Sequence, residues 1–90
     1  MNVTKKLRFY GRVQGINFRS NTLIKAIDIG VKGWIKNLPD GSVESEFSGD
    51  EDKVNDLIRY CVSEMPYANV IRYEQINEDY KEFSDFHIER

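Results

Sequence analysis

The sequence predicts an α+β sandwich in which two helices cover one face of an antiparallel sheet, with the elements in the order βαββαβ. Three observations carry this. Hydrophobic periodicity switches along the chain between two and about 3.6 residues. The strands read most clearly put apolar side chains on one face and charged ones on the other, as a sheet covered on one side requires. Turn and stop residues fall at the junctions between the periodic segments.

Residues 6–13 alternate. Leu7, Phe9 and Val13 share one face and Lys6, Arg8 and Arg12 the other, which reads as a half-buried strand. Gln14-Gly15-Ile16-Asn17-Phe18-Arg19 shows no period. A helix is expected over residues 20–29, with Leu23, Ile24 and Ile27 on its buried face and Ala26 beside them. Gly30 supplies a left-handed stop. Residues 31–38 and 42–48 read as strands joined by Leu38-Pro39-Asp40-Gly41, where Pro presets its dihedral and Gly takes the positive φ, so the two form a hairpin. In the second of these, Val43 and Phe47 oppose Glu44 and Glu46.

The second helix starts at Gly49-Asp50. Asp50 suits the N-cap, and Glu51 and Asp52 suit the positive end of the helix dipole. Val54, Leu57, Ile58, Cys61 and Val62 make its apolar stripe, and Pro66 stops it. Residues 68–76 form a strand whose imperfect alternation leaves the register open. Residues 78–82 are a polar connection, and Phe86 and Ile88 share one face of a short last strand. A strand–helix–strand unit followed by a hairpin and a second such unit is the split βαβ, or ferredoxin-like, sandwich.

The totals allow one domain, residues 1–90, since 90 residues leave no room for a second core. Hydrophobic residues at 40% and aromatics at 12% argue against disorder. No apolar run approaches the roughly 20 residues of a membrane span, and the first residues lack a signal peptide's apolar stretch. A lone Cys61 cannot form an internal disulfide, and one Cys with one His cannot build a four-ligand zinc site. The chain is expected in the cytoplasm, as a monomer, with neither membrane nor nucleic-acid partner. Net charge is −2, yet residues 1–40 hold eight Lys/Arg against two Asp/Glu and residues 41–90 hold five against thirteen. A basic first half suits an anionic ligand; mixing of the charges in the folded molecule would dissolve the asymmetry.

The chemistry concentrates in the first loop. Amides at a helix N-terminus have no internal partner and the dipole there is positive, so an anion can bind. Gly15 lets the backbone turn tightly and come close to a ligand. Arg19 stands at the mouth of the helix, where its planar fork can grip two phosphate oxygens. The same two residues also suit a plain turn followed by a solvated arginine. Period two puts Val31, Gly33, Ile35 and Asn37 on one strand face and Trp34 and Lys36 on the other. Ile35 must face the core, so Asn37 points to the helix side, where its amide can hold a water beside a bound phosphate. Preparing the Pro39-Asp40-Gly41 turn is an equal role for it by spacing alone.

Gly11-Arg12-Val13-Gln14-Gly15-Ile16-Asn17-Phe18-Arg19 resembles the first signature of the acylphosphatase family, and Gly33-Trp34-Ile35-Lys36-Asn37-Leu38-Pro39-Asp40-Gly41-Ser42-Val43, followed by Gly49, resembles the second. The likeness covers essentially the whole chain, more loosely beyond Gly49, and Ala26, Pro66, Ala68, Phe86 and Ile88 are also similar to family positions. Asn17 departs from the Gly or aromatic residue frequent there, and Met65 from the Gly frequent before Pro66. The resemblance implies a ferredoxin-like fold and hydrolysis of acyl phosphates to carboxylate and inorganic phosphate, which also inhibits. It implies that Arg19 binds the phosphoryl group, that Asn37 orients the attacking water, and that the amides of Gln14, Gly15, Ile16, Asn17 and Phe18 cradle the phosphate. No metal or organic cofactor is implied.

An acyl phosphate already has a good leaving group, so holding the phosphoryl group and aiming water suffice, and a phosphate oxygen of the substrate can take the proton. His87 alternates against Phe86 and Ile88 and faces solvent. Cys61 is a buried, inert thiol. Trp34 and Tyr10 lie on the open sheet face. Two rival readings remain. One is an RNA-binding sheet, of which Tyr10 with Arg8 and Arg12 is a faint version. The other is a domain that binds carbamoyl or acyl phosphates without free turnover, as in larger maturation enzymes; a chain ending at Arg90 favours a self-standing enzyme.

Overall fold

In the computed structural model, which describes residues 1–90, the chain forms β1 (Asn2–Arg12), α1 (Phe18–Ile29), β2 (Lys32–Asn37), β3 (Val43–Asp50), α2 (Glu51–Arg59), β4 (Asn69–Glu78) and β5 (Phe86–Ile88). The sheet order is β4-β1-β3-β2-β5. β3 lies between β1 and β2 and is antiparallel to both, so β1 and β2 run the same way with a strand inserted between them. This is the expected split βαβ arrangement, and β4 adds to the other side of β1, also antiparallel. The sheet is mixed rather than wholly antiparallel, because β5 pairs with β2 in parallel.

The parallel pairing follows from the path between β4 and β5, which joins the two edges of the sheet. The chain crosses over the face that carries no helix, and Lys81 marks the crossing. Its N–H donates to Thr4 Oγ1 at 2.8 Å and its carbonyl accepts from Ser48 Oγ, while the two hydroxyls lie 2.7 Å apart. Thr4 and Ser48 are buried beneath this crossing. The remainder of that face is a lattice of charges and aromatics. Trp34 Nε1 donates to Glu46, and the Tyr10 ring lies under Arg72, whose guanidinium is 3.9 Å from its centroid. Trp34 and Tyr10 therefore sit on the open face, as expected.

The core fills the other side, with Leu7, Phe9, Ile35, Val43 and Phe47 facing Phe18, Ala26, Val54, Leu57 and Cys61. The expected face of α1 is corrected here. Ile24 and Ile27 are 65% and 66% exposed, whereas Phe18, Thr22 and Ala26 are buried. The helix begins two residues earlier than the apolar spacing suggests, and Phe18 anchors in the core. At about 100° per residue that anchor brings Thr22 and Ala26 inward, and it leaves Ile24 and Ile27 outside. Burying Thr22 costs little because its hydroxyl donates to Phe18 O at 2.8 Å. Gly30 ends the helix in the left-handed region at φ 85°.

α2 keeps its stripe through Val54, Leu57 and Ile58, then loosens into a π turn over Tyr60–Glu64. Cys61 remains buried, Val62 is half-buried and Met65 joins the core. Asp50 holds the N-cap position but makes no side-chain cap. Its carboxylate lies 3.7 Å from the Met1 amino group, and the Glu51 N–H donates to Met1 O at 2.9 Å. No helix is long and apolar enough to cross a membrane.

Candidate active site

The site is built where β1 hands over to α1. β1 carries a register shift against β4 between Tyr10 and Gly11. Gly11 has φ 120°, and a Cβ there would fall 2.2 Å from Asn69 O, so only glycine lets β4 come this close. The strand then bends away into the loop 13–17. Gly15 takes φ 77° with open space where a Cβ would be, and Asn17 follows at φ 63°, ψ 26°. Asn is among the few residues other than glycine that enter this region readily, which accounts for its place in the loop.

Asn17 is the N-cap of α1, and its carbonyl accepts from Asn21 N–H at 2.9 Å, yet its side chain caps nothing. No acidic residue stands in the first turn of α1. The leading amides and the positive end of the dipole therefore face outward unneutralised. The contrast with α2 is direct, because Glu51 and Asp52 occupy its first turn.

Phe18 turns inward against Phe9, with ring centroids 5.4 Å apart. Arg19, the next residue round the helix, turns the other way and lines a cavity of about 220 Å³. The guanidinium enters none of the ion pairs of the molecule. Asn37, the last residue of β2, lines the same cavity from the sheet. Its Oδ1 is buried and accepts no hydrogen bond from the protein. A buried acceptor left without a protein donor is uncommon. Arg19 and Asn37 thus lie on one side of the sheet and share one hollow.

Gln14, Gly15, Asn17 and Phe18 complete the wall that the sequence indicates. Ile16 does not line the cavity and packs half-buried against the core. Val13 and Ser20 also line it and are absent from the site that the sequence indicates. Ser20 was legible as a hydroxyl in the first turn of the helix, whereas Val13 carries no signal beyond its strand alternation. Arg19 is the only charged residue in the lining, which holds no Asp, Glu or His.

The Gln14 side chain does not point into the cavity with a free amide. Its Nε2 donates to Leu38 O and to Ser42 O, both at 2.9 Å. The neck of the β2–β3 turn is thereby tied to the loop. The turn itself is closed by Leu38 N–H to Ser42 O at 2.9 Å and Gly41 N–H to Leu38 O at 3.1 Å. Asp40 accepts from Ser42 N–H at 2.9 Å and from its hydroxyl, and Arg8 reaches Asp40 at 2.9 Å. The Ser42 bonds, with Arg8 beside them, hold the Asp40 carboxyl below the usual carboxylate range.

Two groups that the sequence sets aside lie elsewhere. His87 is exposed on β5 between Asp85 at 3.1 Å and Glu89 at 3.3 Å. Cys61 is buried, and burial pushes its thiol up to about 12.

A family model described as acylphosphatase matches residues 5–88. An acylphosphatase of Thermoplasma volcanium is 66% identical over 90 residues, all of both chains. Among solved structures, an acylphosphatase from Coxiella burnetii superposes with a TM-score of 0.91 at 28% identity, over 98% of this chain and 93% of that one. The acylphosphatase of Bacillus subtilis gives 0.90 at 26% identity, over 98% and 99%. Sequence and fold agree from end to end, and the chain belongs to the acylphosphatase family.

Proposed function

We propose that this chain hydrolyses the carboxyl–phosphate bond of small acyl phosphates, with Arg19 and the amides of loop 14–18 holding the phosphoryl group and Asn37 aiming the water. The carrying observation is that Arg19 and Asn37, whose Oδ1 is buried without a protein partner, line one cavity beside an uncapped helix N-terminus. The phosphoryl oxygens lie against Arg19 and the amides, which take up charge as the transition state spreads it. Asn37 Oδ1 accepts one proton of the water and so points its oxygen at phosphorus, opposite the carboxylate. The new P–O bond forms as the bond to the acyl oxygen breaks, and the carboxylate leaves with that electron pair. The water's proton passes to a phosphoryl oxygen, because no carboxylate or imidazole lines the cavity. Inorganic phosphate is product and competitive inhibitor.

This activity belongs to a cytoplasmic monomer whose partner is the small substrate alone. RNA binding on the open face is disfavoured, because Arg72 covers the Tyr10 ring and Glu74 accepts from its hydroxyl at 2.9 Å. The test is loss of benzoyl phosphate or acetyl phosphate in the presence of chelator. Hydrolysis inhibited competitively by phosphate supports the reading, and an inert chain removes it.

A further inference from the structure

We propose that the Gln14 side chain is a positioning residue for this reaction, which sets the reach of Asn37 towards the phosphoryl group without itself holding substrate. The inference rests on the acyl-phosphate reading above. The two groups that must act together hang from different elements, Arg19 from α1 and Asn37 from the end of β2. Rigid packing fixes each element, but the loop and the turn that frame the cavity need a link of their own. Gln14 supplies it, because both N–H bonds of its amide are spent on the turn, one on Leu38 O and one on Ser42 O.

Leu38 directly follows Asn37, so the bond to Leu38 O acts one residue from the carboxamide that aims the water. The carbonyl of Ser42 also accepts from Leu38 N–H at 2.9 Å, so Gln14 grips the turn at the bond that closes it. The other side of Ser42 is pinned by Asp40 and by Arg8 Nε at 3.1 Å. The turn is therefore a rigid piece, and moving it against the loop moves Asn37 with it. A misplacement of about 1 Å in a reacting geometry costs on the order of a hundredfold. Phosphate binding depends on Arg19 and the loop amides, which this link does not carry.

The test compares Gln14→Met, of similar length with no donor, and Gln14→Glu with the parent chain. Turnover of benzoyl phosphate and the inhibition constant for inorganic phosphate are measured on protein with unchanged near-ultraviolet circular dichroism. Gln14→Met is expected to lose about ten- to a hundredfold in kcat while phosphate inhibition stays within about threefold. In Gln14→Glu a carboxylate faces two carbonyl oxygens, and only its protonated form has a donor, a single one. Its kcat relative to the parent chain at the same pH should therefore recover in part as the pH falls from about 8 to about 5. This variant also serves if Gln14→Met does not fold. Parent-like kcat in Gln14→Met, an equal loss of kcat and phosphate binding, or a pH-independent ratio for Gln14→Glu would overturn the proposal. If the parent chain hydrolyses no acyl phosphate, the functional reading itself falls. If it does so in an Arg19-dependent way and the Gln14 variants match it, this inference alone falls.

Discussion

Phe18 and Phe9 meet in the core with ring centroids 5.4 Å apart and planes tilted by 52°. This contact sets the rotation of α1 that turns the next residue, Arg19, towards the cavity. Phe18→Ala is expected to cost about 3–5 kcal/mol of stability, the usual range for emptying a buried aromatic site. Urea denaturation measures that. In the same variant the phosphate inhibition constant should rise at temperatures where the protein is still folded, because Arg19 loses its fixed direction.

Arg19 is the one charged group in the cavity, and its guanidinium meets no carboxylate of its own. Arg19→Ala should lower kcat/KM by about a thousandfold or more, on the scale of other arginines that face a transferring phosphoryl group. Arg19→Lys should fall between, since a lysine keeps the charge and loses the fork that grips two oxygens. Thermal unfolding of both should match the parent chain. Arg19→Ala with parent activity would remove the residue from the mechanism.

Asn37→Ala should separate activity from stability. It is expected to lose about a hundred- to a thousandfold in kcat, with phosphate inhibition nearly unchanged. Because Asn37 Oδ1 is buried without a protein partner, its removal should leave Tm equal or raised, as is common where a site holds strain for function. A clear fall in Tm would show that the amide serves the fold.

His87 lies between Asp85 and Glu89 on β5, and hydrogen bonding to Asp85, then to Glu89, raises its pKa. A raised folded value means that its stabilisation is fully present below the ordinary histidine value near 6.5 and is lost as pH rises through the higher folded value. The group is exposed, so the effect is small. His87→Gln should flatten that part of the stability–pH curve between about pH 6 and pH 8, measured by urea midpoints, and leave turnover unchanged.

The Cys61 thiol, pushed up to about 12 by burial and offset slightly by Thr22, should resist alkylation at neutral and mildly alkaline pH. Its burial as a neutral group stabilises below the ordinary thiol value near 8.5 and ceases to as pH rises towards 12. Iodoacetamide labelling at pH 8 followed by mass spectrometry should track global unfolding. Rapid labelling of folded protein would contradict a buried thiol.

Much of the molecule was legible because its signals are local. Alternation in residues 6–13, Gly30 after the first helix, the Leu38–Gly41 turn and the stripe from Val54 to Cys61 each follow from the conformational preferences of a few adjacent residues. Arg19 at a helix mouth and Asn37 on the strand face fixed by Ile35 were legible as candidates, but local pattern left each with a plain structural role beside it. Only the resemblance to the family's two signatures singled them out. The face of α1 was not legible. Leu23, Ile24 and Ile27 outweigh Thr22 in hydrophobicity, but Phe18 lay outside the expected helix, and its anchor turns the helix the other way. Asp50 was a good cap by type, yet its side chain makes no cap hydrogen bond.

Sequence alone therefore determined the order of elements and the fold class, since periodicity, turn residues and helix ends are written within a few positions of one another, and its two family-like signatures named the residues on which the proposed chemistry rests. Tertiary structure alone decided that β5 lies parallel to β2, that Lys81 crosses over Thr4 and Ser48, and that Gln14 links the loop to Leu38 and Ser42. Those relations join residues 24 to 77 positions apart. They depend on which surfaces meet when the core closes, and no local preference encodes that.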